Sequence, residues 1–211
     1  QHADELDLLD RLRQHLEGGH PATTFPIEAD EADWLRPLQL LSLKPRVYVA
    51  NVGESDLPDG NELSHVVESR ARTDGAEAVV VCASLEVELA SWPADEAAEY
   101  RSELGLESSG LQTLIRASYR LLDLITFFTA TGTSVVRAWT LRRGQTALDA
   151  AASIHTDMQR GFIRAEVISA ADLISAGSLA AARDQGLLRL EGRDYPVQDG
   201  DVVHIRFSPA R

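Results

Sequence analysis

Two short apolar runs, each followed by a polar turn and then by helical sequence, most constrain how this chain can fold. The first, RVYVAN at residues 46–51, is predicted as a buried strand and leads through a loop into a predicted helix at 61–74. The second, AEAVVVCA at 76–83, leads into an acidic helical stretch that extends to about residue 103. Strand, helix, strand, helix is typical of a parallel α/β sheet. The sequence therefore predicts two parallel strands whose carboxyl ends share one edge.

Helical spacing predicts which apolar residues face the core of three helices. A helix at 3–17, ended by GGHP, is expected to bury Leu6, Leu9, Leu12 and Leu16. A second helix, in EADEADWLRPLQLLSLKP, is expected to run until Pro45 and to bury Trp34, Leu35, Leu38 and Leu41. The helix at 61–74 is expected to turn Leu63, Val66 and Val67 inward.

The pattern changes near residue 124, where aromatic and β-branched residues surround a TGT turn and indicate a β-hairpin. A helix capped by Thr146, a strand GFIRAEVIS, a helix in SAGSLAAARDQG and two further strands follow. These elements predict a small mixed sheet wrapped on one helix.

The charge is unevenly distributed along the chain. The net charge is −13, and residues 1–125 carry 10 basic and 24 acidic side chains against 10 and 9 in residues 126–211. Because nucleic-acid binding depends on neutralising phosphates, any such contact is expected in the second part. A cluster of Arg137, Arg142 and Arg143 would have to make it, unless these are solvated surface arginines.

The chain carries no apolar run long enough to span a membrane, no signal peptide and no initial Met, and is expected to be part of a longer cytoplasmic protein. Cys82 is the only cysteine, so an intrachain disulfide is impossible. It is predicted as a small buried core residue, with a reachable strand-end thiol as the alternative.

Asn51 and Glu54 follow the first predicted strand, in the position where parallel sheets bind ligands. The amide of Asn51 can brace a neighbouring loop, and the carboxylate of Glu54 can accept from N–H groups of a purine. The alternative is a simple Asx turn with Glu54 in solvent. Ser84 leaves the second strand in the same way, and two such adjacent loops can sandwich a base.

KPRVYVANVGESD, VVVCASLEVEL and IHTDMQRGFIRAEVIS together resemble the YchF, or Obg-like ATPase, family of P-loop proteins, from about Leu6 to Phe207. The family replaces the Asn-Lys-x-Asp base motif of ordinary GTPases with Asn-x-x-Glu, which favours adenine. The resemblance implies base contacts by Asn51, Val52, Glu54, Cys82, Ala83 and Ser84. Val52 would pack near the base and accept from the adenine amino group through its backbone, and the CAS loop would contribute backbone N–H groups.

The resemblance implies a fold of the class α/β followed by α+β. Residues 1–36 would be the end of a helical, coiled-coil insertion, and 37–124 the second half of a Ras-like P-loop domain. Residues 125–211 would be a β-grasp TGS domain, a module also found in threonyl-tRNA synthetases and stringent-response enzymes. Implied partners are a nucleotide, ATP or possibly GTP with magnesium, and a ribosome or RNA bound through the TGS domain.

The 211 residues lack the groups that phosphate chemistry needs. The single lysine, Lys44, has no Gly-x-x-x-x-Gly-Lys loop, and no Asp is followed by Gly three positions on. We therefore expect the chain alone to bind nucleotide weakly and not to hydrolyse it, with no catalytic residue of its own.

Other candidate residues favour structural roles. His155 and Asp157 suggest a metal site, but a cap on the next turn, made by Thr156 and Asp157, is the simpler interpretation. Glu86 and Glu88 are expected at the surface. The three tryptophans are expected to pack in the core rather than stack on a ligand: Trp34, Trp92 and Trp139.

Two functions stay open. The chain is either part of an ATP-hydrolysing switch protein that associates with ribosomes, or a non-catalytic interaction module that docks on ribosome or RNA.

Overall fold

The computed structural model describes residues 2–28, 31–131 and 135–208, which form a two-stranded sheet and a separate five-stranded sheet, each with helices packed on it. The helices of these residues are α1 (His2–Glu17), α2 (Ala32–Leu35), α3 (Glu62–Thr73), α4 (Ala83–Leu89), α5 (Ala94–Glu103), α6 (Gly110–Leu121), α7 (Ala147–Ile154), α8 (Thr156–Arg160), α9 (Ala170–Ala176) and α10 (Leu179–Asp184). The strands are β1 (Val47–Asn51), β2 (Glu77–Val81), β3 (Leu124–Thr131), β4 (Val135–Arg142), β5 (Phe162–Ser169), β6 (Arg189–Glu191) and β7 (Asp201–Phe207). None of these helices has the length and apolarity that crossing a bilayer requires.

Helix α1 forms as predicted but buries a different face. Leu8 and Leu12, one turn apart, pack in a cluster with Ala22, Phe25 and Leu35, whereas Leu6 and Leu16 are exposed. The sequence has leucines on more than one side of this helix, and the segment that packs against it decides which side is buried.

The single helix predicted for residues 28–45 is wrong. Helix α2 ends at Leu35, and two 3₁₀ turns follow, Arg36–Leu38 and Leu41–Leu43. Pro37 has no N–H for a helical hydrogen bond, and Gln39, at φ 49°, takes a left-handed conformation that no α-helix continues. Leu41 consequently points into solvent.

Strands β1 and β2 are parallel, as predicted, with pairs running from Val47 opposite Glu77 to Asn51 opposite Val81. Helices α3 and α6 pack against both strands. β1 is less buried than predicted: Ala50 is buried, but Val49 is half-exposed. The reason is that, among the described residues, β1 pairs with no strand other than β2.

Helix α3 also buries a face other than the predicted one. Leu63 and Val66 are 77% and 66% exposed, while Ser64 and Ala71 are buried. Ser64 turns inward because it forms a capping box with Asn61: its N–H donates to Asn61 Oδ1, and its hydroxyl oxygen accepts from the Asn61 N–H at 2.8 Å. This rotation leaves the Leu63 side of the helix uncovered.

The second sheet is mixed and has the strand order β4-β3-β7-β5-β6. β3 and β4 form the predicted antiparallel hairpin, although most of the predicted TGT turn lies outside the described residues. β3 and β7 are parallel, with Phe128 opposite Val202. The small mixed sheet expected from the sequence is thus present.

Helix α7 packs on one face of this sheet, and its three buried alanines meet Phe127, Val167 and other core side chains. Thr146 caps it, as predicted, by accepting from the Asp149 N–H. The helix predicted in SAGSLAAARDQG is present as α10, and a further helix that was not predicted, α9, precedes it and ends at Gly177, at φ 78°. Helices α9 and α10 cover part of the opposite face.

Helix α6 joins the two sheets directly. Only Leu122 and Asp123 separate it from β3, and Asp123 makes this turn at φ 52°. The Asp123 carbonyl accepts from the Arg143 N–H at 2.8 Å, and its carboxylate pairs with the guanidinium of Arg143. Arg120 near the end of α6 pairs with Glu77 of β2 at 2.9 Å.

Candidate functional site

The carboxyl ends of β1 and β2 lie side by side, because the strands are parallel and Asn51 is opposite Val81. The pairing continues one step beyond β1, where the Val52 N–H donates to the Val81 carbonyl at 2.9 Å. The loops that leave the two strands therefore start from adjacent, fixed points.

The side chain of Asn51 joins these two loops. Its Oδ1 accepts from the Ala83 N–H at 3.0 Å, across 32 positions of sequence. Within the described part of the chain its Nδ2 group makes no hydrogen bond, so this donor remains available at the open edge of the sheet. Asn51 thus combines a structural acceptor with a free donor.

Glu54 opens a single 3₁₀ turn, Glu54–Asp56, and its carboxylate has a protein partner. The Tyr100 hydroxyl of α5 donates to Glu54 Oε1 at 2.6 Å. This charged hydrogen bond raises the pKa of Tyr100 above its ordinary value. Glu54 is exposed, as the alternative of an Asx turn expects, but one of its carboxylate oxygens is bonded to Tyr100, and Asn51 Oδ1 accepts from Ala83.

The CAS loop differs in detail from the arrangement expected from the resemblance. The Ala83 N–H donates to Asn51, so this backbone donor is not free for a base. Cys82 is buried, as predicted for a small core residue, and its Sγ lies 3.3 Å from Ser84 Oγ. Ser84 itself is exposed in the first turn of α4.

Sequence reasoning missed Tyr100, which lies 46 positions from Glu54 and belongs to no local motif. The Tyr100 ring lies 5.5 Å from the Trp92 ring, and Trp92 packs against the cluster around Cys82 and Leu85. Trp34 and Trp139 also pack against core clusters, as predicted.

Glu86 is not the surface residue predicted. It is half-buried, and its Oε1 accepts from the Gly110 N–H, the first residue of α6, at 2.7 Å. This bond ties the helix that follows the CAS loop to the start of α6. A carboxylate at this position also complements the helix dipole of α6.

His155 has a capping role. Its Nδ1 accepts from the Asp157 N–H at 3.1 Å, so His155 itself, rather than Thr156 or Asp157, caps α8. No group of three metal-binding side chains occurs in residues 2–28, 31–131 and 135–208.

Comparisons with known proteins agree on one family. Residues 124–208 match the family model YchF-GTPase_C, described as a protein of unknown function (DUF933). The chain is 43% identical over 206 residues to the ribosome-binding ATPase YchF of Bacillus subtilis (strain 168), and 44% identical over 204 residues to that of Pasteurella multocida (strain Pm70). Each alignment covers 97% of this chain and 56% of the relative.

Solved structures show the same relationship. The Schizosaccharomyces pombe YchF GTPase superposes with a TM-score of 0.82 at 28% identity, over 97% of this chain and 55% of that one. A GTP-binding protein from Pyrococcus horikoshii OT3 shares the fold, with a TM-score of 0.57 at 21% identity. This chain thus spans about half the length of the relatives it matches. Over 97% of its length, this chain is similar to YchF proteins, and residues 124–208 match the YchF-GTPase_C model.

Proposed function

We propose that this chain supplies the base-recognising part of the nucleotide site of a ribosome-associated ATPase. The observation that carries the proposal is the Asn51–Ala83 hydrogen bond, which fixes two adjacent loops while leaving the Nδ2 group of Asn51 free. A donor at this position matches N7, the acceptor of a purine's outer edge. The relatives' names, ribosome-binding ATPase and GTPase, agree with a nucleotide ligand.

Adenine fits this edge better than guanine. Adenine offers a 6-amino donor beside N7, whereas guanine offers a carbonyl there. The backbone carbonyl of Val52 and the second carboxylate oxygen of Glu54 are acceptors, and no lysine stands in this loop to favour a carbonyl. The site residues of the proposal are Asn51, Val52, Glu54, Cys82, Ala83 and Ser84, and the last three lie at the start of α4.

Phosphate chemistry would need groups beyond these 211 residues. The chain has no Gly-x-x-x-x-Gly-Lys loop, and magnesium and phosphate binding depend on such a loop. The exposed Val49, Leu63 and Val66 beside β1 support residues 37–124 as one half of a larger parallel sheet. We therefore expect no ATP hydrolysis by this chain alone.

The second domain of the proposal, residues 125–211, is a β-grasp TGS module that contacts ribosome or RNA. Its support is the five-stranded mixed sheet packed on α7 and the near-neutral charge of this part of an acidic chain. Residues 1–36 would be the remainder of a helical insertion.

Titration of the ¹⁵N-labelled chain with adenosine and guanosine tests the base site. We expect the side-chain amide signal of Asn51 and the backbone signals of the two loops to shift with adenosine, and less with guanosine. Since the chain has no phosphate-binding loop, dissociation constants on the order of millimolar are expected. These correspond to a binding free energy of about 4 kcal/mol. Shifts confined to other regions, or equal shifts with a pyrimidine nucleoside, would refute the assignment.

A further inference from the structure

Three arginines and one histidine lie together on the face of the five-stranded sheet that α9 and α10 cover in part. We call it the cationic face and define it by Arg164, Arg183, His204 and Arg206. Arg164 of β5 and Arg206 of β7 are directly opposite each other, and His204 is opposite Glu166. Directly paired residues of antiparallel strands point to the same side, so Arg164, His204 and Arg206 share one face with Glu166, which Arg183 of α10 also contacts.

A half-buried carboxylate pairs with two of these arginines. Glu166, whose side chain is only 14% exposed, pairs with Arg206 at 3.2 Å and with Arg183 of α10 at 3.6 Å. Arg164 has no carboxylate partner in the described part of the chain, and its side chain is exposed. Three arginines against one glutamate leave this face positive, in a chain whose net charge is −13.

The stability of the sheet does not explain why Arg164 and Arg206 lie directly opposite each other. Like charges directly opposite on adjacent strands destabilise a sheet, and a single glutamate cannot neutralise both residues and Arg183. An anion bound between the guanidinium groups would remove this repulsion.

An apolar cavity lies next to the guanidinium groups. It has a volume of about 270 Å³ and is lined by apolar side chains of the sheet, of α10 and of the segment after α10, together with Glu166, Arg183, His204 and Arg206. The apolar lining residues are Ala130, Ile168, Leu179, Leu188, Val202 and Val203. An apolar lining beside arginines suits a flat base attached to its phosphate better than the carboxylates of an acidic peptide.

We propose that the cationic face binds single-stranded RNA, with Arg164, Arg183 and Arg206 on phosphates and an unstacked base in the adjacent cavity. The inference rests on the proposed ribosome association and names the surface that would make the contact. The cationic face contains none of the three arginines that the sequence suggested for nucleic-acid contact, Arg137, Arg142 and Arg143. Arg137 and Arg142 of β4 alternate to opposite faces, and Arg143 is paired with Asp123.

Fluorescence anisotropy with a labelled single-stranded RNA at several salt concentrations tests the proposal on the whole chain. For Arg164→Gln we expect weaker binding and a salt slope smaller by about 0.7, the loss of one phosphate contact to a single strand. Arg183→Gln is expected to act in the same direction, since Glu166 keeps Arg206. Arg193→Gln, an exposed arginine in the turn after β6, is the matched control and should bind as the wild type does.

Stability separates a binding effect from unfolding. Arg164→Gln should melt at the wild-type temperature or above it, because the change removes repulsion from Arg206. Equal RNA binding by Arg164→Gln, Arg193→Gln and the wild type would overturn the proposal, as would equal competition by a polyglutamate peptide. If the chain co-sediments with ribosomes but binds no single-stranded RNA, the cationic face is wrong while the proposed ribosome association stands.

Discussion

The Tyr100 hydroxyl donates to Glu54 Oε1 at 2.6 Å and so ties α5 to the loop that leaves β1. One carboxylate oxygen is thereby occupied, and the other accepts no hydrogen bond within the described part of the chain. Loss of this bond frees the carboxylate to rotate.

Tyr100→Phe should therefore reduce the preference for adenosine over guanosine while leaving the fold intact. The ratio of the two dissociation constants measures this effect. Tyr119→Phe is the matched control, because its exposed hydroxyl contacts only Thr140 at 3.4 Å. An unchanged ratio in Tyr100→Phe would show that Glu54 needs no tyrosine to read the base.

The same bond should be visible in alkaline titration. Because Glu54 raises the pKa of Tyr100, the bond's contribution is complete below the ordinary tyrosine pKa of about 10 and is lost as the pH rises through the raised value. Phenolate absorbance of the wild type should therefore contain a late component that Glu54→Gln shifts to lower pH. A titration that is the same in both proteins would contradict the assignment.

The two roles of Asn51, as acceptor and as donor, can be tested separately. Asn51→Asp keeps an oxygen for the Ala83 N–H but loses the Nδ2 donor, so it should fold normally and bind adenosine more weakly. Asn51→Ala loses both groups and should also loosen the CAS loop. One hydrogen bond contributes about 1 kcal/mol, or roughly a five-fold change in the dissociation constant. Amide exchange of the Ala83 N–H distinguishes the variants, being faster than wild type in Asn51→Ala only.

The lowered pKa of Asp74 predicts an acid-dependent loss of stability at the other end of β1. The Tyr48 hydroxyl, 2.6 Å away, and then Arg70 lower the pKa of Asp74. Its contribution is present above the ordinary aspartate pKa of about 3.9 and is lost as the pH falls through the lowered value. Asp74→Asn should thus lower the denaturation midpoint at pH 7 but not well below the lowered pKa. Asp59→Asn, an exposed aspartate, should have no effect at either pH.

A substitution at Gly161 tests the packing around the five-stranded sheet. A Cβ at this position would clash with the Ser208 carbonyl oxygen, so the backbone would have to shift. Gly161→Ala is expected to cost about 1–3 kcal/mol of unfolding free energy in chemical denaturation. Gly192→Ala, where a Cβ meets nothing within 4 Å, should change the stability by less than about 0.5 kcal/mol.

Most strands and several caps were predictable because their signals are local. The β-branched run before Asn51 and the Thr146 cap each depend on residues within one turn or strand. The buried faces of α1 and α3 were not predictable, since their apolar side chains lie on several sides and the packing partner selects one. Leu63, apolar yet exposed, shows that helical spacing alone does not identify the core.

In the candidate site, too, some residues were predictable from the sequence and others were not. The positions of Asn51 and Glu54 followed from the strand ends, because parallel strands bring their carboxyl ends together. Tyr100 and the cationic face depend on contacts between segments distant in sequence, and strand register alone sets Arg164 opposite Arg206. Neither has a pattern that a single sequence displays.

Helix α6 makes the two sheets mechanically continuous. Its first N–H is bonded to Glu86, which follows the CAS segment, and only two residues separate its last residue from β3. Its 12 residues, at about 1.5 Å each, form a rod about 18 Å long. Because no flexible linker separates α6 from β3, a tilt of α6 at the end near Cys82 would displace both strands of the β3–β4 hairpin.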